Sequence, residues 1–316
     1  GTFNNKTDGL LTVNRSTVFA VENYGTLENM GTIRIGNITS VANRGIVHRN
    51  GGALNNKPGG LIQIDRTSAV EAFYTSGVVN NEGTLEIGSV ATVTGNGVTV
   101  DGTGTFNNQA GGLLTISLST NSGIQNSGAF NNNACATVTV FDNLNNAGTF
   151  TNAGLMTVNT AQAHTNSALT NNGIIEYPLG NPIPNVTNNE IVIAPTNDDN
   201  CDDISPAFIL GSPVNYNILG VFTDAAATTS AGVYTVATNT FTPTAYLPEG
   251  EYDYFVKIED PVAMCTRIAS WKLSILNCCI PPIVTAPTVT QPTCALPTGT
   301  IFVNASGGGT LEYSVN

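Results

Sequence analysis

Charge is what this sequence has least of. Asp, Glu, Lys and Arg make up 10% of its 316 residues, where an ordinary soluble domain carries about 25%. Only ten are Lys or Arg, and the net charge is −12. Binding to phosphate needs clustered cations, so nucleic acid is excluded as a partner. Docking on an anionic membrane is disfavoured for the same reason. Histidine is almost missing. His48 and His164 stand apart and belong to no HExxH-like metal motif. Both are assigned to surface or turn positions, since acid–base work needs an oriented partner. No run of 18 apolar residues occurs, so no helix of this chain is long and apolar enough to cross a bilayer. No secretory leader is visible. Gly1 opens inside a repeat, which implies a mature or internal segment of something longer.

What the sequence does have is a repeat. One pattern reads Gly or small, any residue, apolar, any residue, Asn. It begins at Gly1 and recurs at Gly25, Gly52, Gly77, Gly104, Gly128, Gly148 and Ser167. Its third position is always apolar, from Phe3 to Leu169, and its fifth is always Asn: Asn5, Asn29, Asn56, Asn81, Asn108, Asn132, Asn152 and Asn171. A second pattern follows each copy, as in Gly9 to Val13 and Gly112 to Ile116, and alternates apolar with polar residues. That period of two is the strand period. A looser third strand, such as Val98 to Asp101, fills most rungs. Three short strands in roughly 18 to 29 residues predict an all-β fold, a right-handed parallel β-helix of about eight rungs over residues 1–180. Stacked at about 4.8 Å, the rungs make a rod on the order of 40 Å long. The glycines are expected to supply corner dihedrals. The Asn column is expected to form a ladder in which each amide donates to the next. Unequal glycine spacing places insertions in loops on the rod's flank.

The pattern stops near Asn181, where Pro182, Pro184 and Pro195 mark a linker over 181–189. Residues 190–278 read as an immunoglobulin-like β-sandwich, with strands expected at Ile191 to Ile193, Asn215 to Val221, Gly232 to Ala237, Glu251 to Lys257 and Ser270 to Leu276. Its aromatics, Trp271 among them, are assigned to core or interface. Cys201, Cys265, Cys278, Cys279 and Cys294 lie in the C-terminal part without paired CxxC spacing, and read as disulfides of an oxidising compartment. Cys201 or Cys265 is expected to pair with Cys278, and Cys279 with Cys294. Cys135, alone in the repeats, is assigned as a buried free thiol.

Residues 279–316 carry a resemblance. Gln291-Pro292-Thr293-Cys294, Gly299-Thr300-Ile301-Phe302-Val303, Ser306-Gly307-Gly308 and Leu311-Glu312-Tyr313-Ser314-Val315 resemble the start of an SprB-type repeat, cut short at Asn316. That family occurs in large surface adhesins of gliding and other Bacteroidota. The resemblance implies a multidomain cell-surface adhesin exported by the type IX route.

The best ligand candidate is the acidic stretch around Asp198, Asp199, Asp202 and Asp203, whose hard oxygens suit calcium; the rival is a solvated acidic turn. No other cofactor is implied. Polysaccharide-cleaving solenoids need clustered carboxylates or cations on one face. The outward row Thr12, Arg34, Gln63, Glu86, Thr115, Thr139, Thr157 and Glu176 shows no such cluster, and is too mixed for the flat Thr lattice of an ice-binding face. Gly102-Thr103-Gly104 lacks the helix and Lys of a phosphate loop. The sequence therefore reads as a non-enzymatic, extracellular structural and adhesive protein, or a subunit of an extracellular fibre. Its partners are a surface, glycans or copies of itself. The alternative is a glycan-binding or polysaccharide-degrading β-helix.

Overall fold

The structure is a computed structural model. It describes residues 1–41, 43–68, 70–198, 216–238, 240–245, 247–276 and 283–306. Among them every regular element is a β-strand. Three parallel sheets dominate. Sheet I has nine strands, from Thr2–Asn5 to Val186–Asn188. Sheet II has nine, from Leu10–Val13 to Ile191–Ile193. Sheet III has seven, from Phe19–Asn23 to Thr165–Asn166. The chain visits the three in turn, and each strand pairs with its equivalent one rung away, which makes the first unit a parallel β-helix. Register follows the repeat: Val79, Phe106 and Phe130 stand in one column, and Asn81, Asn108 and Asn132 in another.

The interior is built by that register. Leu27, Leu54, Val79, Phe106, Phe130, Phe150 and Leu169 share one buried core. Rungs spaced by about 4.8 Å bring like rings to stacking distance. Phe106 and Phe130 have centroids 5.0 Å apart, and Phe130 and Phe150 4.6 Å apart, with the rings stacked nearly parallel.

Three expectations are corrected here. The rod does not end at residue 180. Val186–Asn188 pairs in parallel with Leu169–Asn171, and Ile191–Ile193 with Ile174–Glu176. The expected linker 181–189 thus belongs to a ninth rung, and the expected first sandwich strand closes sheet II. Pro182 and Pro184 are tolerated because they lie just before Val186–Asn188, where the eighth rung has no sheet III strand, so their missing N–H groups break no ladder. The repeat glycines, in turn, are not needed for unusual dihedrals: the positive-φ glycines, such as Gly59 and Gly111, lie outside the two patterns. They are needed for close approach. A Cβ on Gly60 would stand 2.5 Å from both Asn29 O and Asn56 Oδ1, and one on Gly112 2.2 Å from Asn81 O. Small size at these positions lets the turn close over the Asn column.

The second unit spans described strands from Thr196 to Ile275. Its four-stranded sheet runs in the order Thr196–Asp198, Cys265–Ile275, Gly250–Asp260, Asn217–Phe222. The first pair is parallel and the other two are antiparallel. A hairpin of Gly232–Thr235 and Thr240–Pro243 puts Phe241 against Tyr254 and Trp271. Gly250–Asp260 and Cys265–Ile275 are 11 residues each, longer than the expected strands, and Trp271 lies inside the last one rather than at its start. These strands do not by themselves establish an immunoglobulin-like fold. Residues Ile283–Thr290 and Thr300–Ser306 form a separate antiparallel pair.

Candidate functional site

The repeated asparagines occupy one buried column at the corner after sheet I. Each Nδ2 from Asn5 to Asn152 donates to the Oδ1 of the next rung's Asn at 2.7–3.0 Å. Asn171 reaches Asn188 at 3.4 Å. The same amides also reach main-chain carbonyls: that of Asn108 donates to Thr137 O at 2.9 Å. No free amide is left for a ligand, so the column acts on structure. A second row, Asn55, Asn80, Asn107 and Asn131, runs on the half-exposed outer face of sheet I and donates the opposite way, ending on Glu28. A third, Asn126, Asn146 and Asn166, occupies the corner after sheet III. It starts abruptly, because the residue in register before Asn126 is Val100. The buried Oδ1 of Asn126 accordingly has no protein donor.

Farther down that corner, His48 stands in register between Asn23 and Thr75. It is fully buried rather than a surface or turn residue. Asn23 Nδ2 donates to its Nδ1 at 3.0 Å, and its Nε2–H donates to Val78 O at 3.1 Å. Burial pushes its pKa down, so His48 serves as a neutral member of the corner row. His164, partly buried in the segment leading into Thr165–Asn166, accepts from Leu144 N at 3.1 Å.

The joint between rod and second unit is the richest chemical environment in the chain. The outer face of sheet II, largely polar along the lower rungs, becomes apolar at its end: Leu155, Ile174, Ile191 and Ile193 join one buried cluster with Tyr216, Phe241, Tyr254 and Trp271. The signal was present in sequence, as Leu or Ile at outward positions, but only the docked unit gives it meaning. Tyr216 Oη donates to Ala153 O at 2.6 Å, and Trp271 Nε1 to Thr196 Oγ1 at 3.1 Å. Cys135 is bonded to Cys265. This corrects both its assignment as a buried free thiol and the Cys265–Cys278 pairing. Cys294 is exposed and forms no disulfide among the described residues. Cys201, Cys278 and Cys279 lie outside them.

Glu176 is the unusual member of this joint. It points out of the rod, yet the second unit buries it. Thr157 Oγ1 donates to its Oε2 at 2.5 Å, and Ser270 N donates to its Oε1. Desolvation pushes its pKa up, only partly offset by these two donors. A carboxyl whose folded pKa lies above its unfolded value binds more protons in the native state, so stability is lost as pH rises through the folded value. Glu176→Gln keeps an acceptor for Ser270 and cannot ionise. As pH rises above the ordinary carboxylate range, it is expected to remove a decline in the denaturation midpoint that the native chain shows. Parallel midpoint–pH profiles for the two proteins would refute this.

A cavity of about 140 Å³ lies at the same joint, lined in part by Tyr177, Pro195, Tyr254 and Lys272. Its charged groups, Lys272 and Asp253, form an exposed ion pair at 3.0 Å. Burial raises the Tyr177 phenol to about 12, so it stays protonated at neutral pH.

No known protein family, curated protein or solved structure matches this chain.

Of the calcium candidates, Asp198 lies in the strand Thr196–Asp198, whose end accepts Leu276 N at 2.7 Å through Asp198 O. Asp199, Asp202 and Asp203 lie outside the described residues. Among the described residues, no three His, Cys, Asp or Glu side chains converge as a metal site.

One surface escaped the reading of outward rows because it lies on sheet III, where the repeat is least regular. Arg44 and Arg49 sit over the rings of Phe19 and Tyr74, with Arg44 4.8 Å from the Tyr74 centroid; Arg49 is also 6.0 Å from Tyr24. Glu22 accepts from Arg49 at 3.0 Å, Glu71 pairs with Arg44, and Tyr74 donates to Asp101 at 2.7 Å. That hydrogen bond and one from Gly102 N hold the Asp101 carboxyl below its usual range. Tyr24 remains 66% exposed. Aromatic and guanidinium planes rimmed by carboxylates can stack on flat ligands and hydrogen-bond their edges.

Proposed function

We propose that this protein is a non-enzymatic extracellular stalk that adheres through its rod. The observation that carries this reading is the use of its polar interior. The buried amides are consumed in a ladder running the length of the coil, which stiffens it. The Cys135–Cys265 bond supports an oxidising, extracellular setting. Chirality favours a right-handed coil. The pairing of Thr196–Asp198 with Cys265–Ile275 suits an immunoglobulin-like second unit. The Phe19–Tyr24–Tyr74 face gives the stalk an adhesive surface, with glycans the best chemical match because sugar rings present flat apolar faces and hydroxyl edges.

The test couples adhesion to chemistry. Beads carrying the protein by its C-terminal end are expected to be retained on polysaccharide-coated surfaces while releasing no reducing sugar. Release of reducing ends or unsaturated sugars would overturn the non-enzymatic reading. Absence of retention on every coated surface would overturn the adhesive one.

A further inference from the structure

We propose that the Cys135–Cys265 bond and the strand Cys265–Ile275 form a covalent tension path that keeps mechanical load off the second unit and the last rungs of the rod. Load taken up by the rod and drawn off beyond Ile275 has two covalent routes. One follows the main chain through residues 136 to 264. The other crosses the disulfide and runs along a single strand. The two cysteines are 130 positions apart in sequence, but their Cα atoms are 5.7 Å apart. The short route therefore becomes taut while the long one is still slack.

The strand is suited to this part. It has 11 residues, and an extended strand already rises about 3.3 Å per residue, against a limit of about 3.6 Å. It has almost no length left to give. It is also the strand that docks on the rod. Cys265 bonds to Cys135, Arg267 donates to Cys135 O, and Ser270 N donates to Glu176. Its partners in the sheet, Gly250–Asp260 and Thr196–Asp198, hang from it without having to transmit force. A purely stabilising bond could have joined the rod to any strand of the second unit. This one joins the strand from which the chain leaves.

The biological purpose of this path rests on the stalk reading; the mechanical test does not, so the two can fail separately. Azide-bearing side chains at Ala134 and Leu276 of the full chain would anchor handles in an optical trap. At a force that unfolds the Cys135→Ser/Cys265→Ser double variant, the variant is expected to lengthen by up to roughly 500 Å, the contour of the released segment. It is then expected to break in proteinase K. The native tether is expected neither to lengthen in steps nor to break. After protease washout and release of force, reduction is expected to leave the native tether whole, because the loop closed by the bond stayed uncut. A native tether that breaks in protease, or parts on reduction, would show that the loop unfolds under load and would overturn the proposal. Equal lengthening of native and variant tethers would do the same.

Discussion

Removing the Cys135–Cys265 bond is expected to give the largest loss of stability of any change away from the core. The bond closes a loop across a sequence separation of 130. Chain-entropy reasoning for a loop of that size gives about 5 kcal/mol. Trp271 reports on the outcome: it is the only tryptophan in the chain and is almost fully buried in the second unit. Equilibrium denaturation followed by Trp271 fluorescence is expected to show a much lower midpoint for Cys135→Ser/Cys265→Ser, with the native fold retained in the absence of denaturant. The retained fold follows from the apolar joint, which the substitution leaves intact. Coincident midpoints would mean that the joint needs no covalent fastening.

The second large effect concerns two adjacent asparagines in the same rung. Asn108 is fully buried and accepts from Asn81 at 2.8 Å while donating to Asn132 at 3.0 Å and Thr137 O at 2.9 Å. Leucine has the same branched outline but is bulkier and carries no polar atom, so it breaks the column and leaves the Asn132 carbonyl and the Thr137 carbonyl without this donor. Each stranded buried group costs about 1–3 kcal/mol, so Asn108→Leu is expected to cost about 3–5 kcal/mol. Asn107 makes the same kind of contact, donating to Asn80 at 3.0 Å, but on a half-exposed face. Water replaces the lost partner there, and Asn107→Ala is expected to cost under about 1 kcal/mol. Denaturation of the two variants side by side separates burial from ladder membership. Equal losses would mean that the buried column is not what holds the rungs in register.

These contrasts show how far the sequence could be read. Inward and outward positions in the rod were legible because a strand alternates its side chains locally, and a repeat states that alternation many times. The Asn column was legible for the same reason: one residue at one position of every rung has to stack on itself once the rungs stack. The meaning of the repeat glycines was not. Whether glycine supplies a dihedral or merely makes room depends on what lies above it, and at Gly60 and Gly112 that is the Asn column itself. The ninth rung was hidden by Pro182 and Pro184, which disrupt a strand only where a strand is required. The aromatic–guanidinium face was hidden because Phe19, Tyr24, Arg44, Arg49 and Tyr74 come from three different rungs.

What the sequence by itself determined is the local grammar of the rod: strand period, turn positions, the core column and the column of amides. What only the tertiary structure decided is everything that joins distant segments. Cys135 looked solitary because its partner is 130 residues away. Glu176 looked solvent-facing because nothing in its own rung covers it. Leu155 and Ile174 face out of the rod, and the surface that buries them belongs to another unit. Periodicity is written between neighbours in the chain, whereas docking is settled by which exposed apolar surfaces meet, and no local pattern records that meeting.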